Sequence, residues 1–239
     1  MLELKNISFI RDGRKILDNI NLKFDDNKFY VITGPNGSGK STLSKIIAGI
    51  EKPDSGKIIF NGQDITDLDI SERANLGVSF AFQQPVKFKG ITVKDLINLA
   101  AGGNIKFEEI KKYLSDVGLC AREYASREVN SSLSGGELKR IEIATVVARK
   151  SKLSIFDEPE AGIDLWSFSS LIKVFEDMQK NVNGSIIIIS HQERILNIAD
   201  EIILIEGGKV KEIGIKEKIL PKLLTTTKRC RFKREECHD

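Results

Sequence analysis

The sequence predicts an α/β fold: a mostly parallel sheet flanked by helices, preceded by an antiparallel β subdomain and interrupted by an inserted helical lobe. Three observations predict it. Apolar and polar residues alternate over Leu2 to Phe9 and again over Ile16 to Phe24, with Arg11-Asp12-Gly13 between them, as in antiparallel strands buried on one face. Continuous apolar runs at Phe29 to Ile32, Val78 to Phe82, Leu153 to Phe156, Ser185 to Ile189 and Ile202 to Ile205 alternate with helical spacing over Ser41 to Ile50, Leu165 to Lys180 and Gln192 to Ile198. That alternation implies parallel strands covered on both faces. From Thr92 to Ser126 the period is helical, with Val93, Leu96, Ile97 and Leu99 in one segment and Ile110, Tyr113, Leu114 and Val117 in the next.

The smaller elements follow from local chemistry. Pro53-Asp54-Ser55-Gly56 is a turn, Lys57 to Phe60 a short strand closed by Asn61-Gly62, and the polar stretch Asp64 to Arg73 a loop with a short helical turn. The 239 residues suffice for one large domain, or a core with a smaller lobe, and a net charge of +3 gives no electrostatic reason to expect nucleic acid as a partner. No apolar run approaches the ~20 residues of a spanning helix. Met1-Leu2-Glu3-Leu4-Lys5 lacks the basic-then-apolar build of a secretory signal, and the odd count of cysteines, Cys120, Cys230 and Cys237, does not suggest a disulfide framework, so a cytoplasmic protein is expected.

The chemistry is organised around Gly34-Pro35-Asn36-Gly37-Ser38-Gly39-Lys40-Ser41, which fits the P-loop pattern G-x-x-x-x-G-K-[ST] at every constrained position. An apolar strand precedes it and a helix follows, as the motif requires. Its glycines let backbone N–H groups converge on an anion, with the positive end of the helix dipole behind them. Lys40 is expected at the β and γ phosphates, the Ser41 hydroxyl on a magnesium ion, and Thr42 in the same nucleotide-binding set. The run Leu153-Ser154-Ile155-Phe156-Asp157-Glu158 ends an apolar strand in two carboxylates. Asp157 stands where a Walker B acid holds the metal shell, and Glu158 where a general base polarises water against the γ phosphate.

Leu133-Ser134-Gly135-Gly136-Glu137, opening a helical pattern over Leu138 to Lys150, is a second anion site: Ser134 caps the helix, and Gly135 and Gly136 let the backbone approach a phosphate. Here the sequence resembles the ABC ATPase superfamily, whose L-S-G-G-x signature is its most specific marker. The resemblance implies a P-loop NTPase core of ABC type within a single ABC ATPase domain spanning 1–239. The RecA-like core with its antiparallel β subdomain would occupy 1–90 and 131–220, the helical lobe 91–130 and a tail 221–239. It further implies ATP and Mg2+ as ligands, ATP hydrolysis, and a second head that pairs head-to-tail so that the signature of one completes the P-loop of the other. By position, Gln83 matches the Q-loop glutamine that contacts magnesium and the attacking water. His191 matches the switch histidine near the γ phosphate, and Asp164 the D-loop that crosses the dimer seam. Family members usually place an aromatic side chain on adenine from the first strand turn; Arg11 stands there, with Phe9 as a fallback that reads rather as core.

Several stretches are similar to the Suf-type iron-sulfur cluster assembly ATPases (the SufC family). Phe82-Gln83-Gln84-Pro85-Val86 is close to their F-Q-Y-P-V, and Lys139-Arg140-Ile141-Glu142-Ile143 to K-R-N-E-I, where transporter heads more often read Q-R-V-A-I-A. Glu160-Ala161-Gly162-Ile163-Asp164 is closer to D-S-G-L-D than to the transporters' S-A-L-D, and Asp64-Ile65-Thr66, Glu72-Arg73-Ala74 and Gly77 also fit. Ile47-Ala48-Gly49 and Glu51 to Gly56 are instead common in transporter heads. The resemblance therefore implies a SufB/SufD-like scaffold as the driven partner, with a membrane permease as the alternative and a non-transport ATP switch behind both. The basic segment Thr225 to Asp239, with Cys230, Cys237 and His238, matches no common zinc spacing and reads as a solvated tail.

Overall fold

The computed structural model describes residues 1–181 and 184–224. The chain opens with β1 (Leu2–Arg11) and β2 (Arg14–Phe24), an antiparallel hairpin. Asp12 and Gly13 both take positive φ (52° and 71°), the left-handed pair that a tight two-residue hairpin turn needs. On its other edge β1 pairs antiparallel with β4 (Ser55–Phe60), and the two-residue β5 (Gln63–Asp64) closes a four-stranded sheet of order β2-β1-β4-β5.

The second sheet has six strands in the order β10-β9-β3-β8-β7-β6. Its strands are β3 (Phe29–Thr33), β6 (Val78–Ala81), β7 (Leu153–Asp157), β8 (Ser185–Ile189), β9 (Glu201–Glu206) and β10 (Lys209–Ile215). All neighbours run parallel except β9 and β10. Every residue of β3, β7 and β8 is buried, which is why these segments read as unbroken apolar runs. Side chains alternate across the sheet, so Phe29 and Val31 join one apolar core while Tyr30 and Ile32 join the other. The first core packs the sheet against α3 (Val93–Ala100), α4 (Phe107–Asp116), α6 (Gly135–Arg149) and α7 (Leu165–Asn181). The second lies between the sheet, α1 (Lys40–Ala48) and the antiparallel strands. In α1, Leu43, Ile46 and Ile47 are wholly buried, each contributing about 1.5–3 kcal/mol.

Three local features depart from the expected pattern. The stretch expected to be helical from Thr92 to Ser126 is three helices, α3, α4 and α5 (Ala121–Tyr124), broken where Gly102, Gly103 and Gly118 take positive φ. The polar Asp64–Arg73 segment begins at the last residue of β5 and contains the start of α2 (Ile70–Asn75), whose N-cap Asp69 and Glu72 satisfy each other's backbone N–H. Arg73, 1% exposed, is the reason for that fold: its guanidinium donates to the carbonyls of Ile46 and Ile47 at the end of α1 (2.6 and 2.9 Å) and to Thr66 and Leu68 (3.0 Å each). An arginine satisfying orphan helix carbonyls cannot be told from a solvent-exposed one by periodicity. The expected pattern also lacked β10, an edge strand whose residues are nowhere fully buried. Residues 216–224 are helical, so the expected tail at 221–239 begins within a helix, and its remainder from Thr225 lies outside the described residues.

Candidate nucleotide-binding site

Parallel α/β sheets bind ligands beyond the carboxyl ends of their strands, and four adjacent strands here end in chemically active residues. β3 runs into the P-loop, β8 into Ser190 and His191, β7 into Asp157 and Glu158, and β6 into Phe82 and Gln83. Register aligns these ends: Ile32 and Asp157 both pair with Ile189, and Ala81 with Phe156.

The P-loop closes on α1 through Gly39, at φ 96°, where a Cβ would meet Leu17 Cδ2 at 2.6 Å and Ile16 O at 2.8 Å. Only glycine fits, because the loop is pressed against β2. Pro35 and Asn36 line, with Thr33, Gly34 and His191, one end of a cleft of about 800 Å³. Ser38 is buried. Gly37, with positive φ, has open space beside it, and Thr42 lies half-buried in the first turn of α1. Lys40 is 5% exposed and donates to Gly34 O and Pro35 O at 2.7 and 2.8 Å. Burial lowers its pKa, and the charges of Glu158 and Asp157 oppose that shift.

Ser41 Oγ donates to Asp157 Oδ1 at 2.9 Å. Asp157 is 1% exposed, and its Oδ2 is buried without a hydrogen bond among the described residues. Burial drives its pKa up, the Ser41 bond works against this, and the Glu158 charge adds to the rise. A buried carboxylate with one oxygen unmatched, facing a P-loop hydroxyl, is a donor set that fits a divalent cation. Glu158 has φ 45°, sparsely populated for a side-chain-bearing residue and costing on the order of 1 kcal/mol. Its N–H is held by Ile189 O at 3.0 Å, and Gln83 Nε2 donates to its Oε2 at 2.7 Å. His191 carries a lowered pKa, first from desolvation and then from the Lys40 charge, with Glu158 opposing.

Ser134 caps α6: its Oγ accepts from Glu137 N at 3.3 Å while Glu137 accepts from Ser134 N at 2.6 Å. Tyr124 and Arg127 hold Glu137 from the other side. Gly135 has open space where a side chain would be, whereas a Cβ on Gly136 would stand 2.9 Å from Gly162 O. Gly136 thus serves packing against the D-loop within the chain, beyond the phosphate approach expected of it. Asp164 caps α7 through Trp166 N and Ser167 N, both at 3.0 Å. Arg11 does not lie free for a base: it covers the Phe9 ring at 5.3 Å and pairs with Glu51 Oε1 at 2.5 Å, while Phe9 is 8% exposed and part of the core.

Sequence pattern gave no role to Lys139 and Glu142, which the structure sets beside the site. Glu142 Oε1 accepts from Phe82 N at 2.9 Å, and Lys139 donates to Phe82 O and, at 3.5 Å, to Gln83 O. Glu160 and Ser190 were also passed over; Ser190 Oγ donates to Glu160 Oε1 at 2.5 Å, joining the strand end before His191 to the segment that carries Asp164. Two charges three residues apart in a helix flanked by Leu138, Ile141 and Ile143 were the available signal.

The ABC transporter family profile matches residues 17–161. The chain belongs to the ABC ATPase family. An uncharacterised ABC transporter ATP-binding protein of Methanocaldococcus jannaschii is 41% identical, over 90% of this chain and 88% of that one. A probable ATP-dependent transporter of Synechocystis is 34% identical over 91% of this chain and 90% of its own. Among solved structures, a dimeric ATP-binding cassette in a post-hydrolysis state with ADP and phosphate superposes with a TM-score of 0.79 at 25% identity, covering 90% of this chain and 99% of that one. This ABC ATPase therefore binds and hydrolyses ATP, with magnesium as the associated ion. Among the described residues no helix is long and apolar enough to cross a membrane.

Proposed function

We propose that this ATPase is the motor head of a Suf-type iron-sulfur cluster assembly machine in the cytoplasm, acting on a SufB/SufD-like scaffold. What supports this over a transporter subunit is one contact. The two stretches that resemble the Suf ATPases in separate parts of the sequence, Phe82 to Val86 and Lys139 to Ile143, touch through Lys139, Glu142 and the Phe82 backbone. A head reading Ala at the second of those positions has no side-chain acceptor there for the Phe82 N–H. The transporter reading draws on Ile47-Ala48-Gly49 and on the names of the relatives.

In this reading the P-loop cradles the triphosphate and Lys40 turns from its loop carbonyls to the β and γ phosphates. Ser41, Asp157 and Gln83 would hold magnesium, which would supply charge neutralisation. Glu158 accepts a proton from water as the water oxygen attacks the γ phosphorus; the bond to the β–γ bridging oxygen breaks and ADP leaves. His191 orients the γ phosphate as a neutral imidazole. Ser134, Gly135 and Gly136 of a second head contact the same nucleotide, with Asp164 at the seam. The lobe at 91–130 carries the face presented to the partner.

Glu158→Gln tests both levels. With ATP the variant should elute as a dimer, and tagged protein recovered from cytosol should bring down a soluble SufB/SufD-like subunit identified by mass spectrometry. Recovery of a polytopic permease instead, and only from detergent extracts, would replace the scaffold with a transporter.

A further inference from the structure

We propose that the buried Lys139–Glu142 pair is a positioning device for hydrolysis: from the signature helix it fixes the Phe82-Gln83 backbone and so aims the Gln83 amide at Glu158. The inference rests on the reading of Glu158 as general base. Strand β6 ends at Ala81, so the peptide groups of Phe82 lie beyond the ladder and need other partners. Glu142 takes the N–H of Phe82 and Lys139 its carbonyl, with the Gln83 carbonyl within reach of the same ammonium. Neither side chain alone could serve both, since a carboxylate only accepts and an ammonium only donates. The two are ion-paired at 3.3 Å, with the Lys139 side chain wholly buried and that of Glu142 14% exposed.

Such a pair is a poor means of stabilisation, because desolvation of two charges offsets most of their attraction and apolar replacement is often neutral. Its effect is positional. Gln83 follows directly on the held peptide, and its Nε2 donates to Glu158 Oε2 at 2.7 Å. The backbone of Glu158 is anchored at its N–H by Ile189 O and at its carbonyl by Ala161 N–H, both at 3.0 Å, and among the described residues the Gln83 amide is the hydrogen bond that orients its carboxylate. The pair sits five and eight residues past Ser134 on α6, so a shift of the signature helix is transmitted to Gln83 without passing through the sheet.

The test is a cycle of variants in the full chain, read as kcat and KM for ATP. Glu142→Asp keeps the charge but withdraws the carboxylate from Phe82 N–H; Lys139→Met with Glu142→Gln removes both charges and keeps an acceptor for that N–H. Each should lower kcat about tenfold or more with KM within about twofold, as a misplaced catalytic group does. In a Gln83→Ala background neither should lower kcat further by more than about twofold, because the route through Gln83 is already cut. Should the double variant fail to fold, Glu142→Asp decides alone. Normal kcat in Glu142→Asp beside an impaired Gln83→Ala, or losses that multiply in the combined variant, would overturn the positioning role. Normal kcat in Gln83→Ala would likewise overturn it, whereas normal kcat in Glu158→Gln would instead remove the reading on which it rests.

Discussion

Asp157→Asn should make the nucleotide-free protein more stable and the Mg-ATP complex weaker. In the folded chain this carboxylate is 1% exposed, one oxygen is satisfied by Ser41 at 2.9 Å and the other is unmatched among the described residues. Burial raises its folded pKa above the unfolded value, so ionisation opposes folding. The penalty is absent in acid, grows as pH rises through the unfolded carboxylate range, and is fully present once pH exceeds the folded pKa. An unmatched buried polar group costs about 1–3 kcal/mol, more when charged, and the amide keeps an acceptor for Ser41 while losing the charge. At about 2–4 °C per kcal/mol for a chain of this size, the gain at neutral pH is a few degrees to about ten in Tm, shrinking towards acid. Mg-ATP at a hundred times its Kd should stabilise the wild type by about 2.7 kcal/mol and the variant by far less. Thermal unfolding followed by circular dichroism, with Mg-ATP or with EDTA, reads both signs. A nucleotide-free variant less stable than wild type, or an unchanged Mg-ATP shift, would refute the reasoning.

Arg73→Met removes four hydrogen bonds and strands the carbonyls at the end of α1, so urea unfolding should show a loss of about 3–5 kcal/mol at unchanged m; burial pushes the guanidinium pKa down to about 10, which still leaves it charged at neutral pH. Because His191 has a lowered pKa, kcat should stay level from neutral pH upward and fall only below the usual imidazole range, and His191→Ala should lack that acid limb in a stopped-time phosphate assay. Trp166 is the chain's single tryptophan, 87% exposed and two residues past Asp164. ATP added to Glu158→Gln should shift its emission to the blue and shield it from acrylamide; unchanged quenching would contradict pairing across the D-loop.

The site was legible where geometry is local. A glycine loop between a strand and a helix admits few structures, and an apolar strand ending in Asp157-Glu158 must release its carboxylates at the sheet's edge, so the P-loop and Walker B residues fell where their patterns placed them. The central strands were legible because burial on both faces leaves no polar positions. What escaped depends on partners distant in sequence. Lys139 and Glu142 look like solvent-facing charges until Phe82 is brought beside them, and Arg73 looks like part of a loop until it meets the end of α1. Arg11 likewise has partners that its position did not announce, Glu51, 40 residues away, and the Phe9 ring. Strand β10 was missed because an edge with no fully buried residue carries little apolar signal.

The placement of α6 bears on how hydrolysis could become motion. Lys40, Asp157, Glu158 and His191 extend from strands or a helix of one core, whose register leaves them little freedom to move apart. Ser134 belongs to a different element, and that element meets the site at two points: the Lys139–Glu142 pair holds Phe82, and Gly136 lies against the Gly162 carbonyl. The first point leads to Gln83, the second to Asp164. A rotation of α6 would therefore disturb the hydrogen-bond partner of Glu158 and the Asp164 segment together while leaving the P-loop as it is. Gly136→Ala separates the two routes. Its Cβ, 2.9 Å from a backbone oxygen, must push the D-loop segment away, yet it leaves the Lys139–Glu142 pair in place. If α6 acts through both contacts, this variant should bind ATP with an affinity within about twofold of wild type and hydrolyse it at least about tenfold more slowly. Unimpaired turnover would confine the influence of α6 to Gln83.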